Sequence, residues 1–173
     1  MKFFINPGHG GSDPGAVSKN GLKESEVCKN IAEILAKRMK LNGYQFKVYQ
    51  QKESLYEVSK ESNKYGADVF ISIHCNSASD TKANGTETWY YKYSIQGGKI
   101  AKVMQEELIK KLGLRDRGIK PSESLHVLKR TNACAILIET AFLSNSKEEK
   151  FLKENQEKIA NAIWEGIKRI KDM

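Results

Sequence analysis

Asp68-Val69-Phe70-Ile71-Ser72-Ile73-His74 is the stretch whose reading decides the fold. β-branched and aromatic residues fill it, the composition of a strand rather than a helix, and it is the strongest such signal in the chain. Working outward, further strands are predicted at Lys2–Asn6, Phe46–Tyr49, Thr86–Tyr91, Leu125–Leu128 and Ala135–Glu139. Helical spacing of apolar residues separates them. Val27, Ile31, Ile34 and Leu35 predict a helix from about Lys23 to Leu41, closed by Asn42-Gly43. Ser54-Leu55-Tyr56-Glu57 reads as a capping box opening a helix that ends at Gly66, and Ser146-Lys147-Glu148-Glu149 reads as another. Ile100, Val103, Met104, Leu108 and Leu112 mark a long helix, and Ile159, Ile163, Ile167 and Ile170 a last one. Alternating strands and helices, with no repeat, linker or low-complexity segment, predict one α/β domain over residues 1–173.

Composition bounds what such a domain does. With 39% hydrophobic and 29% charged residues the chain reads as globular, and no run approaches the roughly 18 apolar residues of a membrane span. The start, Met1-Lys2-Phe3-Phe4-Ile5-Asn6-Pro7, has neither the apolar length nor the small-residue cleavage site of a signal peptide. Cys28, Cys75 and Cys134 are odd in number and lack C-x-x-C spacing, which excludes a disulfide framework and a four-cysteine zinc site. Each is expected to be a small buried hydrophobe. The net charge of +8 is uneven, with +5 over residues 110–130. A basic stretch attracts polyanions.

The chemistry lies at strand ends. In open α/β sheets, ligands bind beyond the carboxyl ends of parallel strands. His9 follows the first strand in a glycine-rich turn, His74 ends the central strand, and Glu139 ends Ala135–Glu139. If these strands are parallel, all three meet at one edge. Glu24 and Glu26 point about 200° apart on a helix. Glu24 shares a face with Val27, Cys28 and Ile31, so it turns inward beside the same edge, whereas Glu26 aligns with polar Asn30, Glu33 and Lys37. A carboxylate aimed inward needs a partner. Two histidines and a glutamate are the ligand set of a catalytic zinc with an open fourth position. Such an ion lowers the pKa of its water to about 7, and a second glutamate can move the proton. Glu139 is assigned that role, although the reverse, Glu139 as ligand and Glu24 as base, stays open from these positions alone. His126 falls inside a strand away from the edge and is read as structural.

Asn6-Pro7-Gly8-His9-Gly10-Gly11, Gly21-Leu22-Lys23-Glu24, Ser72-Ile73-His74-Cys75-Asn76 and Ile138-Glu139-Thr140-Ala141-Phe142-Leu143-Ser144-Asn145 occur in this order. Together they resemble the type-3 zinc amidases of bacterial autolysins, sporulation amidases and phage endolysins, and the resemblance extends over essentially the whole chain. It implies a central, mostly parallel sheet of about six strands with helices on both faces. It implies one Zn2+ bound by His9, Glu24 and His74, with Glu139 as the catalytic carboxylate, and cleavage of the amide between N-acetylmuramic acid and L-alanine in peptidoglycan. Where the family usually carries Asp, this chain has Asn6, which is expected to weaken a contact to a metal-bound histidine. Asn76 is expected to orient substrate or steady the developing oxyanion, and Arg117, in a basic loop, to meet a peptide carboxylate.

The expected partners are the muramyl-peptide and an anionic wall polymer, with no nucleic acid, and the expected state is a monomer. The site of action is the cell wall. Without a leader in this sequence, the expectation is an enzyme held in the cytoplasm until release, or one domain of a longer exported protein. Two other readings are a zinc peptidase, since activated water suits any amide, and a non-catalytic polymer binder using the basic stretch.

Overall fold

A computed structural model describes residues 1–173. In chain order the elements are β1 (Lys2–Pro7), α1 (Glu24–Leu41), β2 (Gln45–Val48), α2 (Leu55–Tyr65), β3 (Val69–Asn76), β4 (Thr86–Tyr91), α3 (Ile95–Leu112), β5 (Asp116–Ser122), α4 (His126–Arg130), β6 (Cys134–Phe142), α5 (Ser146–Glu154) and α6 (Gln156–Lys171). The six strands form one sheet in the order β2-β1-β3-β6-β4-β5. β2, β1, β3 and β6 run parallel, while β4 and β5 are parallel to each other and antiparallel to β6. The sheet is therefore mostly parallel, with one antiparallel junction, and helices cover both faces.

Alternation along the strands divides the interior. Val69, Ile71, Ile73 and Cys75 of β3 join Phe3, Ile5, Ile136 and Ile138 in the larger core, under α1, α3 and α6. Phe70 of β3 faces the other way, with Phe4, Ala135 and Leu137, beneath α2 and α4. Phe4 and Phe70 stack with ring centroids 5.5 Å apart. Full burial of side chains of this size stabilises by roughly 1.5–3 kcal/mol each, so the two layers hold the sheet from both sides. No helix is long and apolar enough to cross a membrane.

Four secondary-structure expectations change. Leu125–Leu128 does not form a strand: His126–Arg130 is the short helix α4, and its Val127 and Leu128 are buried together in the smaller core. A four-residue, mostly apolar run has no periodicity to tell the two apart. Conversely Asp116–Ser122, read as a basic loop, is the edge strand β5. Charged residues, Gly118 and Pro121 disfavour a strand locally, but pairing with β4 imposes one, and an edge tolerates proline. β6 continues past Glu139 to Phe142, so Glu139 stands inside the strand rather than at its last position. Finally, α5 is capped by Asn145, whose side chain accepts from Lys147 N and Glu148 N, not by Ser146. Half of the capping box at Ser54 forms: Ser54 Oγ accepts from Glu57 N, while the Glu57 carboxylate accepts from Glu53 N rather than from Ser54 N. Cys28 and Cys75 are buried free thiols, whereas Cys134 is only half-buried.

Candidate metal centre

β1, β3 and β6 are parallel neighbours, so their carboxyl ends share one edge, and His74 of β3 is the register partner of Glu139 of β6. The turn after β1 folds over that edge. It carries His9 with a left-handed φ of 59° and returns through Gly15, also left-handed at 66°. A Cβ on Gly15 would stand 2.6 Å from the His9 ring and 2.7 Å from a Glu24 oxygen, so only glycine lets the turn close on the cluster. The helix α1 then begins at Glu24, and its first turn carries Glu24 and Glu26, the charge sign that suits a helix N-terminus. Glu24 is buried and Glu26 exposed, as the helical phase requires.

Glu24 divides its two oxygens. Oε2 lies 3.0 Å from His9 Nε2 and accepts from Ala16 N at 3.0 Å; Oε1 lies 2.9 Å from His74 Nδ1 and accepts from Cys75 N at 3.0 Å. One ligand atom from each of His9, Glu24 and His74 can be chosen so that all lie within 4.8 Å of one another. Two imidazole nitrogens and a carboxylate oxygen in this space form a group able to hold a metal ion. His9 and His74 both bond Glu24. Burial opposes ionisation of Glu24, but the hydrogen bonds from His74 and His9 outweigh it and hold the carboxyl below its usual range. The hydrogen bond to Glu24, against burial and with help from Asp13, pushes His9 up to about 9. The far nitrogen of His9, Nδ1, meets Asp13 Oδ2 at 2.8 Å, which fixes the ring and raises its basicity toward a cation.

Glu139 is different. Its Oε2 is shut off from solvent and has no hydrogen-bond partner. Burial, then the negative charges of Glu24 and Glu87, raise its proton affinity well above the ordinary carboxylate range. An unpartnered acid beside a cluster able to hold a cation suits proton transfer.

Asn76 and Arg117 are both at this end of the sheet, joined through a residue that sequence reasoning missed. Glu87 of β4 is buried and is the register partner of Glu139. Its Oε1 accepts from Asn76 Nδ2 and Trp89 Nε1, each at 3.1 Å. Its Oε2 accepts from Arg117 Nε at 2.5 Å and Lys120 Nζ at 2.7 Å. Burial disfavours the Glu87 charge, yet Lys120 and Arg117 hold its carboxyl below the usual range.

The chain belongs to a known family, whose model matches residues 3–169: Amidase_3, N-acetylmuramoyl-L-alanine amidase. It is an amidase-family chain. Among its relatives, N-acetylmuramoyl-L-alanine amidase LytC of Bacillus subtilis (strain 168) is 35% identical over 171 residues, which cover 95% of this chain and 34% of LytC. The chain thus spans about a third of that relative's length. N-acetylmuramoyl-L-alanine amidase CwlM of Bacillus licheniformis is 36% identical over 178 residues, covering 98% of this chain and 68% of CwlM. The crystal structure of N-acetylmuramoyl-L-alanine amidase from Clostridium difficile 630 superposes with a TM-score of 0.91 at 31% identity, covering 99% of this chain and 96% of that one.

Within this amidase-family chain, two residues had escaped the sequence reading for identifiable reasons. Asp13 looked like a turn residue in a Gly/Ser/Pro-rich segment. Glu87 shares strand parity with Trp89 and Tyr91, and a charge on the apolar side of a strand was the signal that could have found it. Asn6, expected near a histidine, instead takes a hydrogen bond from Ser72 Oγ and donates to the Pro7 and Tyr49 carbonyls. His126 begins α4, with Nε2 3.3 Å from Ser59 Oγ, far from the cluster's elements. Within the basic stretch, Arg117 and Lys120 are committed to Glu87.

Proposed function

We propose that this chain hydrolyses the amide between the lactyl group of N-acetylmuramic acid and L-alanine in bacterial peptidoglycan, with zinc held by His9, Glu24 and His74. The observation that carries this reading is the cluster of three ligand atoms within 4.8 Å beside the unpartnered Glu139 carboxylate. Zinc bound there would polarise the scissile carbonyl and lower the pKa of water to about 7. Glu139 takes the proton of the attacking water and hands it to the leaving nitrogen of L-alanine, a role that requires an acid free of other partners. Asp13 holds the His9 ring in one orientation, and Gly15 lets the turn shield the cluster. Asn76 and Arg117 contact the substrate from the Glu87 side of the sheet. Family membership supports the choice of a sugar-linked amide over a peptide bond, and it supports the cell wall as the place of action.

Incubation of the zinc-loaded protein with purified peptidoglycan, followed by mass spectrometry, tests the reading. The expected product is an intact stem peptide with a free L-alanine amino group. New reducing sugar ends, or amines inside the peptide, would overturn the bond assignment, and the second outcome would favour a peptidase.

A further inference from the structure

α2 and α4 cover only half of one sheet face, around Phe4, Phe70, Ala135 and Leu137. The other half of that face carries His74 on β3, Glu139 on β6, Glu87 on β4, then Arg117 and Lys120 on β5. β5 lies two strands from β6, but the Arg117 side chain folds back over β4, so its guanidinium stands 5.0 Å from the ring centroid of Phe142, on the same strand as Glu139.

A bulge aims Arg117 at this face. β4 and β5 pair Thr86 with Asp116 and Thr88 with Ile119, so Glu87 alone opposes Arg117 and Gly118. Gly118 adopts a left-handed φ of 76°, the backbone such a bulge needs. In an unbroken strand, residues three apart point to opposite faces. The extra residue brings Arg117 and Lys120 to the same side, where both reach Glu87. Arg117 is then held three ways: Nε on Glu87, Nη1 on the Asn84 carbonyl at 3.3 Å, and the guanidinium 5.0 Å from the Phe142 ring centroid. Its Nη2 makes no hydrogen bond within the protein, and its side chain stays 27% exposed. A guanidinium fixed in advance with a free N–H edge is suited to a carboxylate.

We propose that Arg117, fixed by Glu87, is a carboxylate-binding subsite that receives the acidic stem peptide beyond the scissile amide, with Glu87 as its positioning residue. This rests on the amidase reading. The peptide is the half of the substrate that fits, because an N-acetylated sugar is uncharged whereas the stem carries free carboxylates.

Two synthetic N-acetylmuramoyl-L-alanyl tripeptides test this with the zinc-loaded full chain, one with free carboxylates on residues two and three and one with carboxamides there. The wild type is expected to favour the carboxylate substrate by roughly 10- to 100-fold in kcat/KM, the range of a hydrogen bond to a charged group. Arg117→Ala brings the ratio close to one by raising KM for the carboxylate substrate. Glu87→Gln, nearly isosteric, lowers the ratio in the same way, and Arg117→Lys restores only part of it because lysine lacks the anchoring Nε. General damage would lower kcat on both substrates and leave the ratio alone. Equal cleavage of the two by the wild type overturns the subsite and leaves the amidase reading standing, as does an Arg117→Ala protein that keeps the wild-type ratio. Cleavage of neither by the wild type overturns the amidase reading, and the subsite with it.

Discussion

Glu87 and Glu139 face each other as register partners across the antiparallel β4–β6 junction, two carboxylates whose surroundings could hardly differ more. Glu87 gathers Arg117, Lys120, Asn76 and Trp89, whereas Glu139 Oε2 has no partner. Like charges opposite one another destabilise a sheet. The arrangement holds because the cations neutralise Glu87, leaving Glu139 as the group able to exchange a proton.

Glu139→Gln is expected to retain zinc and lose activity by about 10²–10⁴-fold, the usual contribution of a positioned general base. Elemental analysis and product release measured on the same sample check both halves. Because the carboxyl it replaces is buried without a partner, the variant is also expected to melt no lower than the wild type in the metal-free state. A fully active variant would remove Glu139 from the mechanism.

Asp13→Asn keeps the size of the side chain but removes the charge behind His9. Zinc affinity is expected to fall about 10- to 100-fold, as for other groups that orient a metal-binding histidine. Competition with a chromophoric chelator reads this directly. Chelation of the wild type should lower Tm, since an ion bound only by the folded state stabilises it by mass action. Unchanged affinity in Asp13→Asn would reduce Asp13 to a turn residue.

Acid titration separates Glu87 from an ordinary surface acid. Its folded pKa lies below its unfolded value, near 4.3 for a free glutamate. The stability that Lys120 and Arg117 draw from its charge is therefore complete above that unfolded value and is lost as pH falls through the lower folded one. Urea unfolding of the wild type and Glu87→Gln across pH 3 to 7, both metal-free, should show a gap that closes on the acid side. A gap independent of pH would contradict the ion-pair account.

Phe70→Ala opens a cavity beneath α2 in the smaller core, where Phe70 is fully buried on Phe4. The expected cost is about 3–5 kcal/mol by chemical denaturation. A cost under about 1 kcal/mol would mean that this layer does not hold the sheet.

Much of the site was legible because it depends on local rules. Alternation places His74 on the same face as Phe70, helical phase turns Glu24 inward and Glu26 outward, and strand polarity sends His9, His74 and Glu139 to one edge once the strands are parallel. What stayed hidden depends on partners distant in the chain. Nothing within Asp116–Ser122 announces a strand, and Leu125–Leu128 carries no helical period.

By itself, then, the sequence determined the α/β class, the long helices, the central strand and the sheet edge at which His9, His74 and an inward Glu24 would meet, because period-2 and period-3.6 patterns act over neighbours in the chain. Only the tertiary structure decided the antiparallel placement of β4 and β5, the turn of Asp13 onto His9, and the contest for cations that Glu87 wins over Glu139. Those outcomes are set by pairing and burial between segments far apart in sequence, and where local preferences are worth only tenths of a kcal/mol per residue, such contacts prevail.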